Sequence, residues 1–364
     1  LTWLAEPEGD VELLAVSKDE SLLAYAVNVE GYTRIMVQER ASGSARQIEG
    51  LPAGRATSLI FAEDGAALLL AITRFENPSA IWRVDLATGE AREILAGTPR
   101  LAEGDTVAPR TVAIESFDGA RVPAFVFEPR DPKPGRPALV IVQGGPEGQY
   151  AAHWRSDVQY LVRRGWTVVA PNVRGSTGYG RAWQAADDRE KRMDSVKDLK
   201  AVRDWLANQP GIDASRLVVF GQSYGGFMVL AAITEYPDDW CAAAEFYGIA
   251  DYNTLLATTG PWRRTLRAVE YGDPDTPEGQ AMLASFSPMR KVHEIKVPLF
   301  IAHGFDDPRV TISESELLYA ALRGRGHPCA YVRIDHEGHG FKRLPNQQTV
   351  FRAMAAFLDE VTAG

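Results

Sequence analysis

Arg216-Leu-Val-Val-Phe-Gly-Gln-Ser223-Tyr-Gly-Gly-Phe-Met-Val-Leu-Ala-Ala-Ile-Thr-Glu235 joins a short apolar run to a second apolar run of helical length through a Gly-x-Ser-x-Gly turn. Leu217–Phe220 reads as a buried strand and Phe227–Glu235 as a helix. A sharp strand-to-helix turn holds a serine hydroxyl out from a sheet at the expense of backbone strain. It needs small residues two before and two after the serine, here Gly221 and Gly225. The helix that follows directs its positive dipole end at the reacting centre. Ser223 is therefore the candidate nucleophile.

Outward from this turn the chain alternates between strands and helices. Thr111–Ser116 and Val122–Glu128 read as a hairpin around Asp118-Gly119. Ala138–Val142, Thr167–Ala170, Ala242–Phe246, Leu299–Ala302 and Ala330–Ile334 are further short apolar runs. Ala151–Arg164 reads as helical. Ser195–Asn208 carries Val196, Leu199, Val202, Trp205 and Leu206 on one face, and the terminal helix carries Val350, Met354, Phe357, Leu358 and Val361. This alternation predicts an α/β architecture, a mostly parallel sheet covered on both faces, with ligands at the carboxyl ends of its strands.

The first hundred residues differ. Ser17-Lys-Asp-Glu-Ser21 with Leu22-Leu-Ala-Tyr-Ala-Val27 recurs as Ala62-Glu-Asp-Gly-Ala66 with Ala67-Leu-Leu-Leu-Ala-Ile72. Ala41-Ser-Gly-Ser-Ala-Arg-Gln-Ile48 recurs as Ala87-Thr-Gly-Glu-Ala-Arg-Glu-Ile94, so the period is 45 to 46 residues. Short strands with polar turns at that period read as two β-propeller blades, with a plain β-sandwich lid as the competing reading. A closed ring takes typically about four to eight blades, so the propeller is partial. A linker near 96–110, with Gly97, Pro99, Gly104 and Pro109, separates a partial propeller (1–105) from a catalytic domain (106–364).

The 364 residues are 45% hydrophobic, enough for large cores. Acids outnumber bases by 48 to 39, a net charge of −9 spread along the chain, which argues against nucleic acid and anionic membrane as partners. No apolar run approaches the roughly 18 residues of a membrane span. Cys241 and Cys329 lie in apolar stretches and read as two buried thiols. With no secretory signal, they favour a reducing, cytoplasmic setting, although a chain that starts at Leu1 can have lost an upstream segment. The reading calls for no metal and no cofactor. Open blade edges invite pairing with another chain as a homo-oligomer.

A serine hydroxyl needs a base, and in such sheets the partners follow in the order Ser, Asp, His. Of the late histidines, His327 falls at the wrong end of the strand Ala330–Ile334 and His336 lies in a charged tip. His339, between Gly338 and Gly340, follows the correct end and is assigned as general base and then acid. The orienting acid should follow Pro298–Ala302, where both Asp306 and Asp307 fit. The Tyr224 amide is one oxyanion donor, and the Gln143-Gly144-Gly145-Pro146 loop is the expected source of the second.

Together, Gly144-Gly145-Pro146, Asn172-Val-Arg174-Gly-Ser-Thr-Gly-Tyr-Gly180, Gly221-Gln-Ser223-Tyr-Gly-Gly226, His303-Gly304 through Asp307-Pro-Arg309-Val310, and Gly338-His339-Gly340-Phe341 resemble the prolyl oligopeptidase family of serine peptidases. Within it the chain looks closest to the acylaminoacyl-peptidase and bacterial oligopeptidase branch. The resemblance implies an α/β-hydrolase domain after a propeller that restricts access to short peptides. It selects Asp307 over Asp306, points to the Gly145 amide as second oxyanion donor, makes Arg174 a buried anchor, and matches Arg309 to a substrate-contacting arginine. Gln143 departs from the tyrosine or histidine of relatives. The expected activity is hydrolysis of short or N-acylated peptides through an acyl-enzyme. A carboxylesterase on the same fold and a non-catalytic binding protein are the alternatives.

Overall fold

The repeated segments of the N-terminal hundred residues form two antiparallel sheets, each meandering in chain order. The computed structural model describes residues 4–97, 102 and 104–363; Leu1 and the linker residue Pro99 lie outside the described residues. The first sheet runs β1 (Asp10–Val16), β2 (Leu22–Val29), β3 (Tyr32–Glu39), β4 (Ala45–Gln47). The second runs β5 (Arg55–Phe61), β6 (Ala67–Thr73), β7 (Ala80–Asp85), β8 (Ala91–Leu95). This is the arrangement of propeller blades. The repeat has a local cause. Asp19 Oδ1 accepts from the Ser21 amide at 3.1 Å in the first hairpin, and Asp64 Oδ1 accepts from the Ala66 amide at 3.0 Å in the second. Each aspartate thereby closes the turn that aligns the following strand. Ala24, Ala26, Ile35 and Val37 share one core with Leu59, Leu68, Leu70 and Val84.

By compactness the chain divides into two units. One holds the described residues of Leu1–Pro109 with Gln149–Gln159 and Thr177–Trp183; the other holds Arg110–Gly148, Tyr160–Ser176 and the described residues from Gln184 onward. The helix expected over Ala151–Arg164 is shorter, Ser156–Arg163. Its first residues are taken up by other backbone partners: the Ala152 amide donates to Gly31 O at 2.8 Å and the Arg55 amide to Ala152 O at 3.1 Å. Tertiary pairing overrides local helical preference there.

The second unit contains an eight-stranded sheet of β9 (Arg110–Glu115), β10 (Arg121–Phe127), β11 (Arg136–Val142), β12 (Thr167–Pro171), β13 (Ile212–Gln222), β14 (Ala242–Phe246), β15 (Leu299–Gly304) and β16 (Cys329–Ile334). Its order is β16-β15-β14-β13-β11-β12-β10-β9. Strands β11 to β16 are mutually parallel, whereas β10 is antiparallel to both β12 and β9. β12 and β14 are buried along their whole lengths, which explains their unbroken apolar runs. Helix Arg192–Ala207 buries Val196, Leu199, Val202 and Leu206, with Trp205 half-buried at the margin. The terminal helix Leu344–Thr362 buries Val350, Met354, Ala355 and Leu358.

The chain steps from β11 to β12 on one side and then returns to β13 on the other. The β11/β13 boundary is thus the point where the winding reverses, the usual place for a site in an open α/β sheet. Cys241 and Cys329 are free thiols, half-buried rather than buried as expected. Cys329 opens the edge strand β16, which explains its partial exposure. Among the described residues no helix is long and apolar enough to cross a membrane.

Candidate active site

Four strand ends deliver the candidate residues to one edge of the sheet. β11 leads into Gln143-Gly144-Gly145, β13 into Ser223, β15 into Asp307, and β16 into His339. Ser223 caps helix Tyr224–Glu235 with φ 59° and ψ −121°, a conformation strained for a residue with a side chain. Its amide donates to Phe246 O at 2.9 Å, pinning the turn to β14. The flanking glycines are steric requirements. A Cβ on Gly221 would lie 2.2 Å from Gly225 O, and one on Gly225 would lie 2.4 Å from Val142 O.

His339 Nε2 lies 2.8 Å from Ser223 Oγ, and His339 Nδ1 lies 2.7 Å from Asp307 Oδ2. Asp307 Oδ1 accepts from the Arg309 and Val310 amides at 2.7 and 3.1 Å. Burial pushes the Asp307 carboxyl up, but hydrogen bonds from His303 and His339 outweigh it and hold the group well below the usual carboxylate range. With Asp307 ionised, the His339 proton sits on Nδ1, which leaves Nε2 free to accept from Ser223. Asp306 is exposed and lies 3.8 Å from the exposed His336. His327 directs Nε2 to Val297 O at 2.8 Å, away from this edge.

A Cβ on Gly144 would come within 3.5 Å of Ser223 Cβ, so the Gly-Gly loop lies beside the serine. Tyr224 is the first helical residue, and its amide has no partner within the helix. Gln143 is buried and donates through Nε2 to Ser176 Oγ at 2.7 Å, so it braces the neighbouring loop. Arg174 is a buried anchor. It donates to both Asp118 oxygens at 3.0 Å and to Asp198 at 2.8 and 2.9 Å. Arg309 is exposed, with its backbone held by Asp307.

Several residues here escaped the sequence reading. His303 is fully buried, with Nε2 3.0 Å from Val310 O and 3.5 Å from Asp307 Oδ2, and Nδ1 2.7 Å from Ser315 Oγ. Because a carbonyl only accepts, His303 Nε2 carries a proton directed at Val310 O, and Nδ1 pairs with the Ser315 hydroxyl. The Tyr247 ring packs 4.7 Å from the His339 ring, and its hydroxyl donates to Gln222 Oε1 at 2.5 Å. His303 stood inside a quoted motif, but nothing in the motif distinguished a buried partner from a spacer. Chemically, the arrangement can remove the Ser223 proton and return it.

The model of the prolyl oligopeptidase family matches residues 152–364. A dipeptidyl aminopeptidase from Pseudoxanthomonas mexicana is 29% identical over 313 residues, 83% of this chain and 45% of the relative. The acylamino-acid-releasing enzyme of Rattus norvegicus is 24% identical over 235 residues, 63% of this chain and 32% of that protein. The structure of a puromycin-hydrolyzing peptidase from Mycobacterium tuberculosis superposes with a TM-score of 0.90 at 26% identity, covering 99% of this chain and 56% of the other. The chain therefore spans about half or less of the length of these relatives.

Proposed function

Because the chain belongs to the prolyl oligopeptidase family, we propose that it is a serine peptidase that hydrolyses short or N-acylated peptides. The observation that carries this reading is the unbroken line Ser223 Oγ, His339, Asp307, at 2.8 and 2.7 Å. The relatives' names, a dipeptidyl aminopeptidase and an acylamino-acid-releasing enzyme, support peptides as the substrate class.

In the proposed reaction Ser223 Oγ attacks the scissile carbonyl carbon as His339 Nε2 takes its proton. Asp307 keeps the imidazole in the required tautomer and stabilises its cation. The amides of Tyr224 and Gly145 receive the developing oxyanion. The C–N bond then breaks, and the amine leaves with the proton from His339. Water, deprotonated by the same nitrogen, attacks the ester on Ser223 and frees the acyl product. Residues 106–364 would carry this chemistry, and the blades of residues 1–105 would share in substrate selection.

Turnover of N-acetyl-dipeptide and free dipeptide anilides, beside p-nitrophenyl esters, tests the assignment. The expected result is amide cleavage that Ser223→Ala abolishes. Ester turnover with no amide turnover between about pH 6 and 9 would favour the carboxylesterase instead.

A further inference from the structure

The two proposed oxyanion segments are joined, behind the site, by a chain of charged side chains. The Tyr224 hydroxyl accepts from Arg192 Nη1 at 2.9 Å and donates to Asp187 Oδ2 at 3.0 Å. Arg192 is fully buried, with its guanidinium over the rings of Tyr224 and Tyr271 at 5.3 and 4.9 Å. Its Nη1 bonds Asp187 Oδ2 at 2.5 Å, and its Nη2 bonds Glu270 Oε1 at 3.1 Å. Glu270 Oε2 accepts from Arg267 Nη1 at 3.1 Å, and Arg267 Nη2 donates to Gly145 O at 3.2 Å. The line thus runs Tyr224, Arg192, Glu270, Arg267, Gly145.

From this geometry we propose that Arg192, Glu270 and Arg267 are positioning residues that clip the Gly145 loop to the first turn of helix Tyr224–Glu235 and so set the spacing of the oxyanion donors. The inference rests on the serine-peptidase reading above. Gly145 needs an external restraint because its φ of 144° belongs to backbone that only glycine adopts readily. Arg267 supplies it from outside the loop. At the other end the Tyr224 ring is fixed through its hydroxyl, which orients the residue whose amide faces the carbonyl oxygen. A buried arginine is costly unless acids pair with it, and Asp187 and Glu270 take its two terminal nitrogens here. The clip stays out of ground-state binding: it acts on donors that meet full charge only as the oxyanion forms.

Arg267 is the best point to test, since it lies at the half-exposed end of the line and is linked to Arg192 through Glu270. Steady-state rates on a peptide anilide would be measured for wild type, Arg267→Ala, Arg267→Lys and Ser223→Ala. Affinities for a peptide aldehyde, which forms an oxyanion on the serine, and for an uncleavable ground-state peptide would be measured alongside. Arg267→Ala should lower kcat about tenfold with KM little changed, and weaken the aldehyde by a similar factor but not the ground-state ligand. Arg267→Lys should recover part of both. An unchanged kcat, or equal weakening of aldehyde and ground-state ligand, overturns the clip while wild-type turnover leaves the peptidase reading standing. A wild type that is inert and unlabelled at Ser223 overturns the reading and the clip with it.

Discussion

His303 stands behind Asp307, fully buried, with Nε2 3.5 Å from Asp307 Oδ2. The carboxylate is therefore held between two imidazoles, His339 on the side of the serine and His303 on the side of the core. His303 is fixed in turn by Val310 O and Ser315. Replacing it by Phe should let the Asp307 carboxyl rise towards its ordinary range. The expected outcome is a kcat/KM reduced by about tenfold, with the acid limb of its pH profile moved upward. Activity profiles of the two proteins over pH 4–8 check it; superimposable profiles would show that His303 only fills space.

Asp307 itself is the stronger test of the proposed tautomer. Asp307→Asn offers an amide that can present a donor to His339 and turn its proton to the wrong nitrogen. Turnover should fall by about 10⁴-fold with the fold intact. The stability consequence has a definite sign. A carboxyl held below its ordinary value of 3.8 stabilises the native state above that pH and loses this contribution as pH falls through its native value. The stability deficit of Asp307→Asn should therefore be full at neutral pH and shrink in acid. Denaturant titrations at pH 7 and pH 3 check it.

Glu245 has the opposite sign. It is wholly buried beside His303 and Ser315, and burial pushes its carboxyl up from 4.5 to about 7. The native state keeps this proton where the unfolded chain loses it, so stability falls as pH rises from about 4.5 to 7. Glu245→Gln should remove that fall, gaining on wild type by on the order of 3 kcal/mol between pH 4.5 and pH 8. Urea unfolding at the two pH values gives the difference, and an equal gap at both would refute the buried-proton account.

The serine turn should not tolerate a methyl group. Gly221→Ala brings Cβ within 2.2 Å of Gly225 O, which is backbone and cannot swing aside. The variant should lose several kcal/mol of stability or move the turn and lose activity. Thermal unfolding together with anilide turnover checks this; wild-type values in both would mean that the turn is slacker than its geometry.

Arg309 gives a prediction about substrate. Burial, with Arg267 and Arg309 as neighbouring cations, pushes the Arg263 pKa down, while nearby Asp307 opposes the shift. Arg309 itself is exposed, and its amide is tied to Asp307 Oδ1 at 2.7 Å, two residues after the proposed acid. Arg309→Ala should raise KM for substrates with an acidic group near the scissile bond more than for neutral ones. A uniform change across both substrate sets would assign Arg309 to the solvated surface.

What could be read from the sequence was whatever local chemistry enforces. The Gly221 and Gly225 positions follow from steric limits within five residues, and β12 and β14 announced themselves as unbroken apolar runs because both their faces are buried. The choice between Asp306 and Asp307 was open on spacing, since one residue decides whether a carboxylate turns to solvent or under the histidine; the family resemblance singled out Asp307. The local pattern over Ala151–Arg164 extends beyond the helix itself because Ala152 pairs with Gly31 and Arg55, more than 90 residues earlier in the chain. Arg192, Glu270 and Arg267 carried no signal: each is an ordinary charged residue on a helix until folding brings Gly145 and Tyr224 alongside.

The most direct test of the central claim is covalent labelling with a fluorophosphonate, followed by mass mapping of the adduct. The account predicts one stoichiometric adduct on Ser223, abolished by heat denaturation and by Ser223→Ala, and slowed strongly by His339→Ala. Folded protein that stays unmodified at Ser223, or that is labelled equally fast without His339, would contradict it.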